Sequence, residues 1–362
     1  MISNQILQST IDGLGEIAGT ALWVLDPEGS RLAATEDMPF DREQDAKAFA
    51  LSEATSREIG ERLYFKVLDD DRMEYILVIE GTGEPAYRMG RMVVFQLSGL
   101  LTVYKEHFDR DNFIKNLLLD NLLLVDIHNR AKKLHIASDV KRAVMIVTYR
   151  AEQSVGVQEM VRQSGATGAD DFVTEVDADN VVVVRSLLEA QETQILTQTA
   201  SQIIAYLEQQ GLQDVRIAYG TVAGELREVS RSYKEAKMAL EVGRIFFDGN
   251  RVVSYTELGI GRLIYQLPIP LCKMFIREIF EGKRPGSFDE EMLQTIDKFF
   301  ENNLNVSETS RQLFIHRNTL VYRLDKLQKL TGLDLRVFEN AITFKIAMMV
   351  VKYMTYMEKT EF

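Results

Sequence analysis

The stretch NVSETSRQLFIHRNTLVYRLDKLQKLTGL, residues 305–333, decides the fold of the C-terminal part of the chain. The pattern predicts a short helix beginning at the N-cap Ser307, a tight turn at 314–316 and a second helix over 317–331. Gly332 is expected to stop the second helix, because glycine readily adopts the left-handed conformation that ends helices. Two short helices joined by such a turn form a helix-turn-helix motif.

The second helix of this motif has one apolar and one polar face. Leu320, Leu324 and Leu327 recur at helical spacing and predict the buried face. The opposite face suits the major groove of DNA, where arginine bonds guanine, asparagine bonds adenine and the threonine methyl contacts thymine. The first turn is also expected to offer free N–H groups to a phosphate. The predicted DNA-facing residues are Arg317, Asn318, Thr319, Tyr322 and Arg323, with Arg311, Lys326 and Lys329 placed for phosphates.

Charge is distributed unevenly along the chain. The net charge of -12 opposes binding to nucleic acid, since phosphate contacts need positive potential. Between residues 311 and 329, however, five basic residues and the single acid Asp325 give a net charge of +4. A basic motif on an acidic body is expected to bind DNA through that motif and to be repelled from DNA elsewhere.

The first 85 residues predict a small α+β domain. A helix over Asn4–Ala18 is followed by a hairpin that turns at 26–29, and a second strand pair spans 63–80 around an acidic turn at 69–71. We expect this domain to sense a small metabolite. Because a guanidinium group can bond both oxygens of a carboxylate, arginines are candidate ligand-binding residues. The candidates are Arg31, Arg57 and Arg62.

After this domain the pattern changes to a long helix. Val94, Leu97, Leu101, Tyr104 and Phe108 follow one another at spacings of three and four, which predicts a helix seam. The seam is short, so packing on the N-terminal sheet and pairing with a second copy of the chain explain it equally well. We expect this helix to transmit a ligand signal by repacking across a dimer.

A second α/β unit is predicted from Arg142 to about residue 260. Its hairpin over 170–187 turns at the acidic stretch 177–180. The segment 113–127, which precedes this unit, is apolar on most faces and predicts a buried helical junction. The stretch EGKRPGS at 281–287 combines glycine, proline and charge and predicts a boundary, after which Ser287 and Glu290 form a capping box.

Three stretches resemble one family. HRNTLVYRLDKLQKLTGLDL, residues 316–335, resembles the C-terminal helix-turn-helix of the PucR and CdaR (sugar-diacid regulator) family, which is itself similar to the Fis-type motif. RDNFIKNLLLDNLLLVDIHNRAKKLHI, residues 110–136, resembles the connecting helices of that family. IAYGTVAGELREVSRSYKEAKMALEVG, residues 217–243, resembles its central domain, a degenerate relative of the GGDEF fold.

The resemblance implies a ligand-responsive transcription regulator, more often an activator than a repressor, of a carbon or nitrogen catabolic operon, with a sugar diacid as the candidate effector. It adds His316 to the DNA contacts and supports Arg317, Thr319 and Tyr322. The sequence departs from Fis-type relatives at Val321 and Tyr322, where basic residues are common. The predicted fold class is multidomain α+β, with a PAS-like sensor at 1–85, connecting helices at 86–138, a degenerate GGDEF-like α/β domain at 139–280 and an all-α helix-turn-helix domain at 286–362.

Other functions fit the residues less well. An active diguanylate cyclase needs a glycine-rich hairpin for its nucleotide, which the turn VTEVDADNVVVV at 173–184 lacks, so we expect no enzyme activity. Cys272 and four scattered histidines form no disulfide or metal pattern, and we expect neither cofactor nor metal. With no signal peptide or membrane-spanning stretch, a cytoplasmic homodimer on double-stranded DNA is expected. A cyclic-nucleotide receptor or signalling protein centred on 142–260, and a helical scaffold for protein partners, are the alternatives.

Overall fold

The computed structural model describes residues 2, 4–35, 39–69, 72–150, 156–177, 180–187, 192–280 and 288–360. The chain divides into two compact units, Met1–Phe113 and Ile114–Phe362. Two predicted turns, at 69–71 and 177–180, lie partly outside the described residues, which leave out 70–71 and 178–179. The predicted boundary at 281–287, with Ser287 of the capping box, lies wholly outside them.

The N-terminal unit is built on one antiparallel sheet. Its elements are α1 (Asn4–Ala18), β1 (Leu22–Leu25), β2 (Arg31–Ala34), α2 (Glu43–Ala50), β3 (Ser56–Ile59), β4 (Arg62–Asp69), β5 (Arg72–Glu80) and α3 (Gly83–Leu118). The strand order is β2-β1-β5-β4-β3. The first helix and both strand pairs confirm the prediction. The pattern misses β3, because its sequence SREI is short and mostly polar.

Apolar side chains cover both faces of this sheet. One face packs against α1 and α3, and Phe65 lies in that core. The other face packs against α2 and contains Trp23, Phe49 and Tyr64. A Cβ atom at Gly90 would collide with the ring of Phe65, so the backbone of α3 lies directly on β4.

The predicted helix seam belongs to the sheet. Leu97 and Leu101 are buried in the core between α3 and the strands, and Val94 and Tyr104 pack against that core. Phe108 is 62% exposed. The seam is therefore explained by packing of α3 on its own sheet and not by pairing with a second copy of the chain.

The second unit contains an α/β part and a helical part. Its elements are α4 (Leu124–Lys133), β6 (Lys141–Arg150), α5 (Val157–Gln163), β7 (Phe172–Asp177), β8 (Asn180–Leu187), α6 (Glu192–Gln209), β9 (Gln213–Tyr219), α7 (Val229–Phe246), β10 (Val252–Ser254), α8 (Gly261–Tyr265), α9 (Ile269–Ile279), α10 (Glu290–Glu301), α11 (Val306–Gln312), α12 (Arg317–Thr331) and α13 (Phe338–Thr360). The sheet order is β10-β9-β6-β8-β7, and only β10 pairs in parallel. Helices α5 and α6 pack on one face around Met145, while on α7 the Ser232 hydroxyl accepts the Val144 N–H at 3.0 Å.

The segment between α3 and α4 corrects the prediction. Leu117 and Leu118 are buried as expected, but Leu123, Leu124 and Val125 are 74%, 64% and 71% exposed. The reason is a turn at Asp120, which takes a positive φ of 62° and ends α3. A buried junction over 113–127 is therefore wrong beyond Leu118, because the helix ends there and the apolar residues at the start of the next helix are exposed.

No described helix combines the length and apolar character needed to cross a lipid bilayer. Across the described ranges, no three residues of the His, Cys, Asp and Glu types gather in a geometry that would hold a metal ion. Cys272 is buried, and burial raises the pKa of its thiol.

Candidate nucleic-acid interface

Side-chain caps start two of the C-terminal helices. Asp289 precedes α10, and its Oδ1 accepts the Met292 N–H at 2.8 Å. Asn305 precedes α11, and its Oδ1 accepts the Glu308 N–H at 3.1 Å. Aspartate and asparagine are among the strongest N-caps. The prediction of Ser307 as N-cap is wrong, because Asn305 takes that role two residues earlier.

The helix α12 begins and ends where the sequence predicts. His316 is its N-cap and accepts the Asn318 N–H at its Nδ1 atom, at 3.2 Å. Gly332 ends the helix with a φ of 77°. In the preceding turn Phe314 has a φ of 54° and is 95% exposed. A left-handed conformation costs a residue with a side chain about 1–2 kcal/mol, so this turn is strained.

The leucine face of α12 is buried, as predicted. Leu320, Leu324 and Leu327 are at most 1% exposed. They share a core with Phe299 of α10 and Phe344 of α13. This packing fixes the rotation of α12 about its own axis and so determines which side chains face outward.

The opposite side of α12 carries a group of exposed side chains that we call the open face. Tyr322 of this group is 68% exposed. Among the described residues, none of these side chains has a hydrogen-bond or ion-pair partner. At 1.5 Å per residue the group extends about 18 Å along the helix. The open face consists of Arg317, Asn318, Thr319, Tyr322 and Lys329.

Arg323, also predicted to face DNA, holds two helices together. Its Nη1 atom donates to Thr295 Oγ1 and its Nη2 atom to Glu291 Oε2, both at 3.0 Å. The Arg323 side chain is only 20% exposed. Both partners belong to α10, so Arg323 ties α12 to α10 instead of projecting freely.

Two further predicted phosphate contacts are paired with acids. Lys326 Nζ lies 3.5 Å from Asp289 Oδ2. Arg311 Nη2 donates to Glu308 Oε1 at 2.8 Å, and this hydrogen bond lowers the pKa of Glu308. These pairs are exposed and therefore weak, so a phosphate can compete for either cation.

The first turn of α12 offers fewer N–H groups than predicted. The Asn318 N–H is bonded to the His316 side chain, and the Thr319 and Leu320 N–H groups are bonded to the His316 carbonyl. His316 thus satisfies two of the four N–H groups that the start of a helix leaves without an intrahelical partner, those of Asn318 and Thr319, so fewer remain for a phosphate than predicted. A phosphate at this end would be bound by side chains.

The three candidate ligand arginines are not brought together. Arg31 lies on β2 and Arg57 on β3, which are opposite edges of the sheet and about 19 Å apart at the usual strand spacing. Arg62 lies on β4 with its guanidinium 4.7 Å from the centre of the Trp23 ring. It pairs with Asp41 at 2.6 Å, which lowers the pKa of that carboxyl group.

Two protein-family models match the chain. Residues 292–350 match the PucR C-terminal helix-turn-helix domain, which includes α11 and α12. Residues 121–242 match the GGDEF-like domain, which ends within α7. The fold is thus mixed α/β, with a GGDEF-like domain followed by helix-turn-helix helices.

Several curated regulators are similar to this chain. The DNA-binding transcriptional activator AdeR of Bacillus subtilis is 26% identical over 226 residues, covering 60% of this chain and 53% of AdeR. The purine catabolism regulatory protein of the same organism is 26% identical over 170 residues, 45% of this chain and 32% of that protein. The carbohydrate diacid regulator of Escherichia coli is 24% identical over 296 residues, 76% of each. The chain thus spans about half of AdeR and a third of the purine regulator.

Proposed function

Because this chain belongs to the PucR/CdaR family of transcriptional regulators, we propose that it is a DNA-binding regulator whose α12 enters the major groove. The observation that carries the proposal is the open face, opposite a leucine face buried on α10 and α13. Arg317, Asn318 and Thr319 supply the groups that bond guanine, adenine and the thymine methyl. The DNA phosphate backbone is contacted by Lys329 and His316 Nε2. Arg311 and Lys326 also contact it when a phosphate displaces their acidic partners.

The proposal separates base contacts from phosphate contacts. Arg317→Ala is expected to weaken binding to a cognate site by about 1–3 kcal/mol and to relax sequence preference. Lys329→Ala is expected to weaken binding to every sequence and to lower the salt slope by about one unit. The measurement is a set of binding isotherms at several salt concentrations, on a cognate duplex selected from a random pool and on a scrambled duplex.

Arg323→Lys provides a matched comparison. It keeps the charge but cannot donate to both Thr295 and Glu291 with the geometry of a guanidinium. We expect a loss of thermal stability with sequence preference retained. Equal binding by the wild type, Arg317→Ala and Lys329→Ala would reject the open face as the DNA-binding surface.

We also propose that the N-terminal unit is a PAS-like sensor and that Arg62 is its ligand-binding arginine. In support, Trp23 Nε1 and Tyr64 Oη are buried without a partner among the described residues, on the face where Arg62 lies over Trp23. Unpaired buried donors favour a ligand with hydrogen-bond acceptors. A sugar diacid fits this chemistry, and the test is a thermal shift of the full chain with galactarate, lost in Arg62→Ala. Arg31 and Arg57, on the edge strands, are left as surface residues.

The remaining parts of the proposal follow from this function. We propose four parts, at 1–85, 86–138, 139–280 and 286–362, in which the GGDEF-like domain is regulatory and has no catalytic role. The relatives named as regulators support this. Control of a catabolic operon, activation as its sign and a cytoplasmic location remain part of the same proposal. A homodimer supplies the second helix-turn-helix that useful specificity requires.

A further inference from the structure

An exposed apolar stripe runs along α3 on the side away from the sheet. Met92, Phe95 and Val103 are 66%, 81% and 64% exposed. At 100° per residue they lie, with Gly99, within about 80° of one another on the helix surface. Gly99 is exposed, and a Cβ there would have no neighbour within 4 Å. Such a stripe of large apolar side chains is unusual on a surface that faces only water.

The stripe is distinct from the predicted seam. Leu97 and Leu101, which belong to the seam, are already buried against the sheet. Opposite them the helix presents Phe95 and Val103 four residues to either side of Gly99. A second helix can approach closely at a glycine, so Gly99 marks the natural centre of a helix-helix contact.

Charges beside the stripe define the direction of a partner helix. Arg88 and Glu106 continue the line of the stripe at its N-terminal and C-terminal ends, while Arg91 and Asp109 lie on one flank about 60° away, and all four are exposed. An antiparallel copy centred on Gly99 brings the arginines of each helix beside the acids of the other. A parallel copy brings each charged residue level with its own duplicate.

We propose that the stripe pairs with the same stripe of a second copy, as an antiparallel two-helix contact centred on Gly99. This inference rests on the proposed homodimer and specifies its surface and its direction. The contact is isologous, with Phe95 of each chain facing Val103 of the other and Arg91 facing Glu106. It leaves the seam on the sheet undisturbed.

Disulfide trapping tests the direction of pairing. Phe95 and Val103 are eight residues apart, about 12 Å along a helix, whereas a disulfide needs Cα atoms within about 7 Å. Oxidation of a mixture of Phe95→Cys and Val103→Cys full-length chains should therefore give mostly the mixed dimer. The native Cys272 is buried and does not compete. Phe95→Cys chains that crosslink mainly to themselves would overturn the antiparallel arrangement.

Charge exchange tests the same contact without oxidation. Arg91→Glu and Glu106→Arg should each weaken the dimer by about 2- to 30-fold, since two exposed pairs become repulsive. The double variant should recover wild-type affinity in analytical ultracentrifugation. No recovery would overturn the pairing.

A core variant and its control complete the experiment. Phe95→Glu should weaken dimerisation on the order of 100-fold or more, because two anchors are lost. Ile17→Glu changes an equally apolar side chain, 77% exposed on α1, and should have no effect. An unchanged dimer in Phe95→Glu would refute the surface but leave the DNA-binding proposal intact. Conversely, equal DNA binding by the Arg317 and Lys329 variants would reject the open face as the DNA-binding surface and not this contact.

Discussion

Asp289 has two roles that one substitution separates. Its Oδ1 caps α10 by accepting the Met292 N–H at 2.8 Å, while its Oδ2 lies 3.5 Å from Lys326 Nζ. Asparagine caps helices as well as aspartate does, so Asp289→Asn preserves the cap and removes the charge. The expected loss of stability is about 1 kcal/mol or less, from a weaker dipole interaction and one exposed ion pair.

The same substitution should increase the affinity for DNA, and this gain in binding free energy should be larger than the loss of stability. Asp289→Asn removes the acid that competes with phosphate for Lys326, which adds at most about one released counterion and steepens the salt slope by up to about 0.9. If the two proteins bind equally near 1 M salt, the full change of slope corresponds to affinity about 15-fold higher at 50 mM and about fourfold higher at 200 mM. Fluorescence anisotropy over this salt range measures both the slope and the affinity.

Glu290→Gln is the matched control for this prediction. It removes the same charge from the same helical turn, but Glu290 has no ion-pair partner among the described residues. We expect a much smaller change in the slope than in Asp289→Asn. Equal effects of the two variants would refute the reasoning, because the gain would then reflect net charge and not the release of Lys326.

Two further predictions concern the stability of the C-terminal domain. Phe314→Gly should raise the free energy of unfolding by about 1 kcal/mol, because it relieves a positive φ of 54° and removes a side chain that is 95% exposed. Urea denaturation at pH 7 measures this free energy. A loss of stability would instead show that the Phe314 ring makes a needed contact. The pKa of Asp334 is lowered by its hydrogen bond from Arg336, so its contribution to stability is present above about pH 4 and disappears as the pH falls through the folded pKa. Asp334→Asn should therefore narrow the difference in melting temperature between pH 7 and pH 3, and an unchanged difference would contradict this assignment.

Local patterns predicted the helix-turn-helix well because its signals lie close together. The bounds of α12 follow from three leucines and Gly332, which are all within 13 residues of one another. The cap of α11 was harder, since Asn305 and Ser307 are both good N-caps and only packing chooses between them.

Features that depend on distant residues could not be predicted in this way. The partners of Arg323 lie 28 and 32 residues earlier in the chain, so its bridging role is invisible in the α12 pattern. Likewise, Leu123 and Leu124 are exposed after α3 ends at a left-handed turn at Asp120, a conformation that aspartate tolerates but does not require, so the local apolar pattern does not reveal it. The periodicity in α3 predicts an apolar seam, but it does not show whether the sheet or a second copy of the chain covers that seam.

The close contact between Gly90 and Phe65 joins α3 to β4, a strand whose other face packs against α2. Successive residues of β4 point to opposite faces, so Tyr64 lies beneath α2 while Phe65 touches the backbone of α3. No flexible side chain separates ring from helix, and tightly packed interiors yield little to compression. We therefore expect a molecule that wedges between α2 and the strand to displace α3 near Met92, and a methyl group at position 90, which would collide with the Phe65 ring, to weaken this connection.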